Sequence, residues 1–197
     1  TLRIEPQSKG FNLRIRGMSF AGVSAVGDWG LGAGTVDLSL TRVEITSCAQ
    51  GIELGQEVPH VNSPARMTLS ECLIEGNAST GIYTRNDGGG TTLICDRTRI
   101  TGNGADGVLV THNVALLPDS TEAILTDCLF DRNAGAGLRG TTNSGSGTLN
   151  GPLVLAVQRC TFGHNAVAGL DVFRPVGSPL TSLVTLGGTL FWGNADD

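Results

Sequence analysis

The segment CLFDRNAGAGL at residues 128–138 contains the pattern that decides the fold of this chain. Four other segments repeat it: CLIEGNASTGI at 72–82, TRITGNGADGV at 98–108, CTFGHNAVAGL at 160–170 and TLFWGNAD at 189–196. The shared asparagines are Asn77, Asn103, Asn133, Asn165 and Asn194, at intervals of 26, 30, 32 and 29 residues. A fixed phrase with elastic spacing indicates a coiled repeat architecture, in which each repeat is one turn.

Apolar residues stand three, eight and ten positions before each asparagine, and a cysteine or threonine stands five positions before it. For Asn133 they are Phe130, Cys128, Leu125 and Ala123. Two alternating pairs separated by a two-residue step predict two short strands with a bend between them. A glycine four residues after each of the first four asparagines precedes a third strand. Degenerate copies, with Val23 and Cys48 in the asparagine position, bring the expected number of turns to seven.

Three short strands per turn can bury their apolar sides only by winding into a solenoid whose turns pair as parallel strands. From about Leu13 to Asn194 the chain resembles the right-handed parallel β-helix proteins of the pectate-lyase-like superfamily. We therefore expect an all-β fold, with one domain over residues 1–197 that is a fragment of a longer chain. A leucine-rich repeat is the alternative, but its leucine two residues after the asparagine is replaced here by Ser79, Ala105, Gly135 and Val167.

The charge of the chain argues against two classes of partner. The net charge is −5 and no basic cluster is present, so neither nucleic acid nor an anionic membrane is an expected partner. No apolar run approaches the length of a membrane span. The resemblance implies an extracellular or cell-surface location, and we expect a monomeric rod within a larger chain.

Stacking between turns explains the asparagines. Each side-chain amide can donate to one neighbouring turn and accept from the other, and asparagine tolerates the left-handed backbone of a tight corner. Asn77-Ala78-Ser79 matches a glycosylation acceptor, but a ladder role would bury that amide.

The five cysteines also fit an internal, structural role. Cys72, Cys128 and Cys160 share one inward column, and their wide spacing is unlike that of zinc ligands. Buried free thiols are the favoured interpretation, although a disulfide between Cys128 and Cys160 on adjacent turns stays open.

Two further patterns have an architectural interpretation. Residues 102–107, GNGADG, spell a dinucleotide-binding fingerprint, but a strand and not a helix is predicted after them. Six residues before each asparagine position, the charge alternates along Arg42, Glu71, Arg97, Asp127 and Arg159. Opposite charges on successive turns predict a ladder of exposed ion pairs that favours the correct register.

The remaining candidates for function lie in the loops between turns and on the outer face beside them. In the enzymes that the chain resembles, acidic polysaccharide lies along this face, carboxylates hold calcium, and an arginine or lysine abstracts a proton. The resemblance thus suggests Arg66 or Arg85 as the base and His112 as an alternative proton carrier. It suggests Asp87, Asp96 and Glu122 as calcium ligands, and Trp29, Tyr83 and Arg174 as contacts to the sugar.

Two functional hypotheses follow. The first is a module that binds or processes a polysaccharide or cell-surface glycan, acting as a lyase, hydrolase or epimerase on uronate-containing chains if it is an enzyme. The second is a non-catalytic spacer or adhesin-type module, because the loops contain mostly Gly, Ser, Thr and Asn, which suit weak hydrogen bonding more than proton transfer.

Overall fold

The computed structural model describes residues 2–3, 9–11, 14–16, 21–27, 36–56, 64–86, 90–113, 120–143, 151–174 and 181–196. The described strands form three parallel sheets, and successive strands along the chain pass from one sheet to the next. The architecture is a solenoid with three strands per turn, in agreement with the all-β fold predicted from the repeat.

Each sheet contains seven strands. Sheet 1 contains β2 (Lys9–Phe11), β5 (Val36–Thr41), β8 (Ala65–Ser70), β11 (Thr91–Asp96), β14 (Thr121–Thr126), β17 (Leu153–Gln158) and β20 (Ser182–Gly187). Sheet 2 contains β3 (Arg14–Arg16), β6 (Glu44–Thr46), β9 (Leu73–Glu75), β12 (Arg99–Thr101), β15 (Leu129–Asp131), β18 (Thr161–Gly163) and β21 (Leu190–Trp192). Sheet 3 contains β1 (Leu2–Arg3), β4 (Ala21–Gly27), β7 (Gln50–Gln56), β10 (Ile82–Asn86), β13 (Val108–Asn113), β16 (Leu138–Asn143) and β19 (Leu170–Phe173).

The regular part of the solenoid is shorter than the seven turns expected. About four turns, from β8 to β19, repeat the full frame with a buried asparagine at the corner, and the outer strands extend each sheet beyond them. The difference arises because Val23 and Cys48 replace the asparagine in earlier turns, while Asn194 is only half-buried in the last.

The core lies inside the coil and follows the predicted positions. In the turn before Asn133, Phe130, Cys128, Leu125 and Ala123 are all buried. Alternation of buried and less buried residues along β11 and β17 reflects the two-residue period of a strand that has one face inside. In the last turn the equivalent residues Val184 and Leu186 are exposed.

The asparagine ladder is present and continuous. Each side-chain Nδ2 donates to the Oδ1 of the next asparagine, at 2.9 Å from Asn77 to Asn103 and 2.8 Å from Asn165 to Asn194. Each Nδ2 also donates to a carbonyl of the preceding turn, as Asn133 does to Ile100 at 3.1 Å. The amide of Asn77 is 1% exposed, so the glycosylation motif is not accessible in the folded chain.

The corner geometry differs from the expectation in one respect. The ladder asparagines are not left-handed; the residue before each asparagine position is, as for Gly76 (φ 61°), Arg132 (φ 55°) and His164 (φ 53°). The charged residue six positions before an asparagine position is left-handed as well, as for Asp127 (φ 54°). The asparagine side chain can therefore point inward while its neighbour makes the bend.

The glycine four residues after each asparagine is required by lack of space. A Cβ atom on Gly107 would lie 2.6 Å from the carbonyl oxygen of Gly137 and 2.9 Å from Nδ2 of Asn133. Its φ is not in the left-handed region, so close approach between turns explains this glycine.

Aromatic and thiol columns fill the interior as predicted. Phe162 lies between Phe130 and Phe191, with ring centroids 4.5 and 5.0 Å away and nearly parallel planes. All five cysteines are free and buried. Burial raises the pKa of the Cys95 thiol, which fits an inert, apolar role.

Exposed ion pairs connect neighbouring turns at the charged corner. Arg97 contacts Glu71 at 3.2 Å, and Arg159 donates from Nε and Nη2 to the two carboxylate oxygens of Asp127, both at 2.8 Å. These contacts support the predicted register role of the alternating column.

The Asp127–Arg159 pair gives a pH-dependent prediction. Hydrogen bonding from Arg159 lowers the pKa of Asp127 in the folded chain. A lowered carboxyl pKa adds stability above the ordinary aspartate value, and that stability is lost as the pH falls through the folded pKa. We expect Asp127→Asn to lower the melting temperature slightly at about pH 7 and to have a smaller effect at about pH 2. Asparagine tolerates a positive φ, so a loss of equal size at both pH values would show that charge is not the cause.

Candidate functional site

Three of the predicted site residues, Tyr83, Arg85 and Arg174, lie on or beside sheet 3. Tyr83 and Arg85 are two residues apart on β10, so both side chains lie on the same outer face, and both are half-buried. Arg174 follows β19 directly and is exposed. Strands β10 and β19 are three strands apart, about 14 Å at ordinary strand spacing.

Two outward columns cross this face from turn to turn. Tyr83 aligns with Leu109, Arg139 and Asp171, and Arg85 aligns with Thr111, Thr141 and Phe173. We call the outward, solvent-contacting members and the adjoining arginine the sheet 3 strip: Tyr83, Arg85, Leu109, Arg139, Thr141, Asp171, Phe173 and Arg174. The strip combines aromatic rings with charged and hydroxyl groups on the face of one parallel sheet.

Arg139 is fixed at the centre of the strip by two carboxylates. Its Nε donates to Oδ2 of Asp171 at 2.9 Å, and its Nη1 contacts Oδ2 of Asp106 at 3.3 Å. Asp106 is 4% exposed, and its Oδ1 accepts a hydrogen bond from the backbone N of Ala136 at 2.7 Å. Burial raises the pKa of Asp106, and the Ala136 hydrogen bond and the Arg139 charge oppose that rise.

Sequence reasoning missed the Asp106–Arg139–Asp171 cluster, although the repeat contains a signal for it. Arg139 and Asp171 both stand six residues after a ladder asparagine, so the register alone aligns opposite charges on adjacent turns. Asp106 stands three residues after Asn103, where the other regular turns have threonine or alanine. A charged residue at an otherwise small and neutral position was the available clue.

The predicted residues of sheet 1 do not join this strip. Arg66 and Glu122 share one outward column but are separated by Thr92 on β11. Asp96 lies at the other end of β11, four residues or about 13 Å along the strand from Thr92. Asp96 pairs with Arg97 at 2.8 Å, so Asp96 and Glu122 do not converge on one cation.

No group of three or more His, Cys, Asp or Glu side chains is placed to hold a metal ion within the described ranges. Two predicted site residues, Trp29 and Asp87, lie outside the described residues. The expectation of calcium therefore stays a prediction.

His112 is inside the solenoid, which corrects its assignment to the loop surface. It is 2% exposed, and its Nδ1 lies 2.7 Å from Oγ1 of Thr121 and 3.4 Å from Nδ2 of Asn86. Its position continues the inward alternation from Val110, because β13 extends to Asn113 and places His112 on the strand instead of in the loop after it. A proton carrier for a polysaccharide on the outer surface would have to be another residue.

Comparison with known proteins agrees with this geometry. The family model described as "Right handed beta helix region" matches residues 6–174. The chain belongs to the right-handed β-helix family. The match confirms the right-handed β-helix that the resemblance implied and the repeat that the asparagine frame predicted.

No curated protein and no solved structure matches the chain. A helix with the length and hydropathy needed to cross a bilayer does not occur in the described part of this β-helix.

Proposed function

We propose that this β-helix binds uronate-containing polysaccharide along the sheet 3 strip, at the cell surface or outside the cell. The observation that carries the proposal is the fixed position of Arg139 between Asp106 and Asp171. A guanidinium has five N–H donors, and these two contacts use Nε and Nη1. An arginine that is already positioned loses little side-chain entropy when it binds a sugar carboxylate.

The neighbours of Arg139 suit the same ligand. Arg85 and Arg174 add positive charge on either side of it, and the rings of Tyr83 and Phe173 offer apolar faces for sugar C–H groups. Phe173 is 58% exposed on the outer face of sheet 3. The parallel strands present these groups at regular intervals, which suits a polymer lying across several turns.

Binding is favoured over turnover by the separation of the predicted catalytic groups. Arg66 and Glu122 are two strands apart on sheet 1, about 10 Å at ordinary strand spacing. Arg85, the alternative base, lies on sheet 3, away from Asp96 and Glu122, so these candidates do not form one acid and base constellation. A rigid spacer is the second candidate, favoured by the continuous buried ladder, which makes a stiff rod without any ligand.

Affinity electrophoresis through gels that contain pectin, alginate or a neutral glucan tests the proposal. We expect retardation by a uronan, and at least about tenfold weaker binding for Arg85→Ala, since a charge-assisted hydrogen bond contributes about 1.5 to 3 kcal/mol. Arg66→Ala is the matched control, because it removes an exposed arginine from sheet 1. Equal effects of the two substitutions would contradict the assigned face, and no retardation in any gel would favour the spacer.

A further inference from the structure

A second group of polar and aromatic side chains lies on the outer face of sheet 2. His164 Nδ1 is 3.0 Å from Oδ1 of Asp131, and the His164 ring contacts the Trp192 indole edge to face, with centroids 4.7 Å apart. Arg132 Nε lies 3.5 Å from the other carboxylate oxygen of Asp131. The four residues come from three successive turns, and the function proposed for the sheet 3 strip uses none of them.

Two glycines make room for this group. Gly163 aligns between Asp131 and Trp192 in one outward column, and a Cβ there would lie 3.1 Å from Oδ1 of Asp131. Gly193 lies beside His164, where a Cβ would be 3.1 Å from the imidazole Cδ2. The missing side chains allow the imidazole, the carboxylate and the indole to meet across the turns.

The His164 and Asp131 side chains reach solvent from turns inside the stack. The His164 side chain is 43% exposed although β18, the strand before it, has a neighbouring strand on each side. Trp192 lies on the outer face of the last strand of sheet 2, in the column of Asp131 and Gly163. The Asp131 side chain is 17% exposed, so it holds the imidazole while still contacting solvent.

We propose that Asp131, His164 and Trp192 form a second carbohydrate subsite, which binds a neutral sugar ring. The indole would pack on the apolar C–H face of the ring, while the imidazole and carboxylate exchange hydrogen bonds with its hydroxyl groups. A neutral sugar fits better than a uronate because the charge of Arg132 is balanced by Asp131 here, whereas the sheet 3 strip together with Asp106 has three arginines for two carboxylates. The inference rests on the proposed function for the class of ligand, but it uses a different face and a different sugar chemistry.

The fluorescence of Trp192 can report on this subsite alone. The chain has two tryptophans, so a Trp29→Phe variant leaves Trp192 as the single indole. Titration of that variant with neutral gluco-, xylo- and manno-oligosaccharides should give a saturable change in emission with one of them. His164→Ala in the same background should weaken that binding about two- to tenfold, as expected when a hydrogen-bonding group is lost.

Arg85→Ala in the same background separates the two sites. It should weaken uronan retardation and leave the Trp192 response unchanged. Trp192 emission that no neutral oligosaccharide alters would overturn the subsite, even if the uronan is still retarded. A response that Arg85→Ala abolishes would also overturn it, because one shared site would then explain both signals. If no uronan retards the wild-type chain but a neutral oligosaccharide still changes Trp192 emission, only the sheet 3 proposal is contradicted.

Discussion

Replacing Asn133 by alanine should unfold the chain at a much lower urea concentration than wild type. The Asn133 Oδ1 accepts from both the backbone N of Asn103 at 3.2 Å and its Nδ2 at 2.9 Å. Its Nδ2 donates to the Ile100 carbonyl and to Oδ1 of Asn165. Each buried donor or acceptor that is left without a hydrogen-bond partner costs about 1 to 3 kcal/mol. We therefore expect the free energy of unfolding to fall by roughly 3 to 5 kcal/mol.

Ser79→Ala is the control for this substitution. Ser79 is exposed and lies two residues after Asn77, outside the ladder. Its replacement should change the free energy of unfolding by no more than about 0.5 kcal/mol. If Asn133→Ala cost less than about 1 kcal/mol, the ladder would not stabilise the corner as described.

Replacing Phe162 by alanine should have an effect of similar size for a different reason. Its ring is fully buried and stacks on Phe130 and Phe191. Removing a buried phenylalanine ring costs about 3 to 5 kcal/mol, from lost burial and from the cavity that remains. Thermal unfolding followed by circular dichroism would measure the loss.

Phe173→Ala provides the matched control, because the same ring is removed from a position that is 58% exposed. We expect a change within about 0.5 kcal/mol for this exposed ring. Phe162→Leu should fall between the two, since leucine refills part of the cavity. Similar losses for Phe162→Ala and Phe173→Ala would refute the internal stack.

The repeat made the interior of the chain predictable. Once the asparagines were aligned, the offsets predicted that Phe130, Cys128, Leu125 and Ala123 face inward. All four are buried. The same alignment predicted a strand after the glycine fingerprint at 102–107, where a dinucleotide site would need a helix. Strand β13 does follow it. Interior positions are predictable because each must satisfy the same packing in every turn.

The exterior was less predictable because function there depends on contacts between different turns. Arg139 and Asp171 are 32 residues apart and pair only through the register of sheet 3. His112 was predicted to lie in a loop, but β13 extends past it, and the alternation of the strand places its side chain in the core. Loop lengths vary between turns, so no repeated offset describes what lies beside the strands.

Hydrogen–deuterium exchange with and without the uronan that retards the chain would test the sheet 3 strip most directly. A ligand that lies across the strip should slow exchange in peptides that cover residues 82–86, 108–113, 138–143 and 170–174. Peptides from sheet 1 that include Arg66 should exchange at the same rate in both states. Slowed exchange confined to sheet 1, or none in sheet 3, would contradict the proposed function.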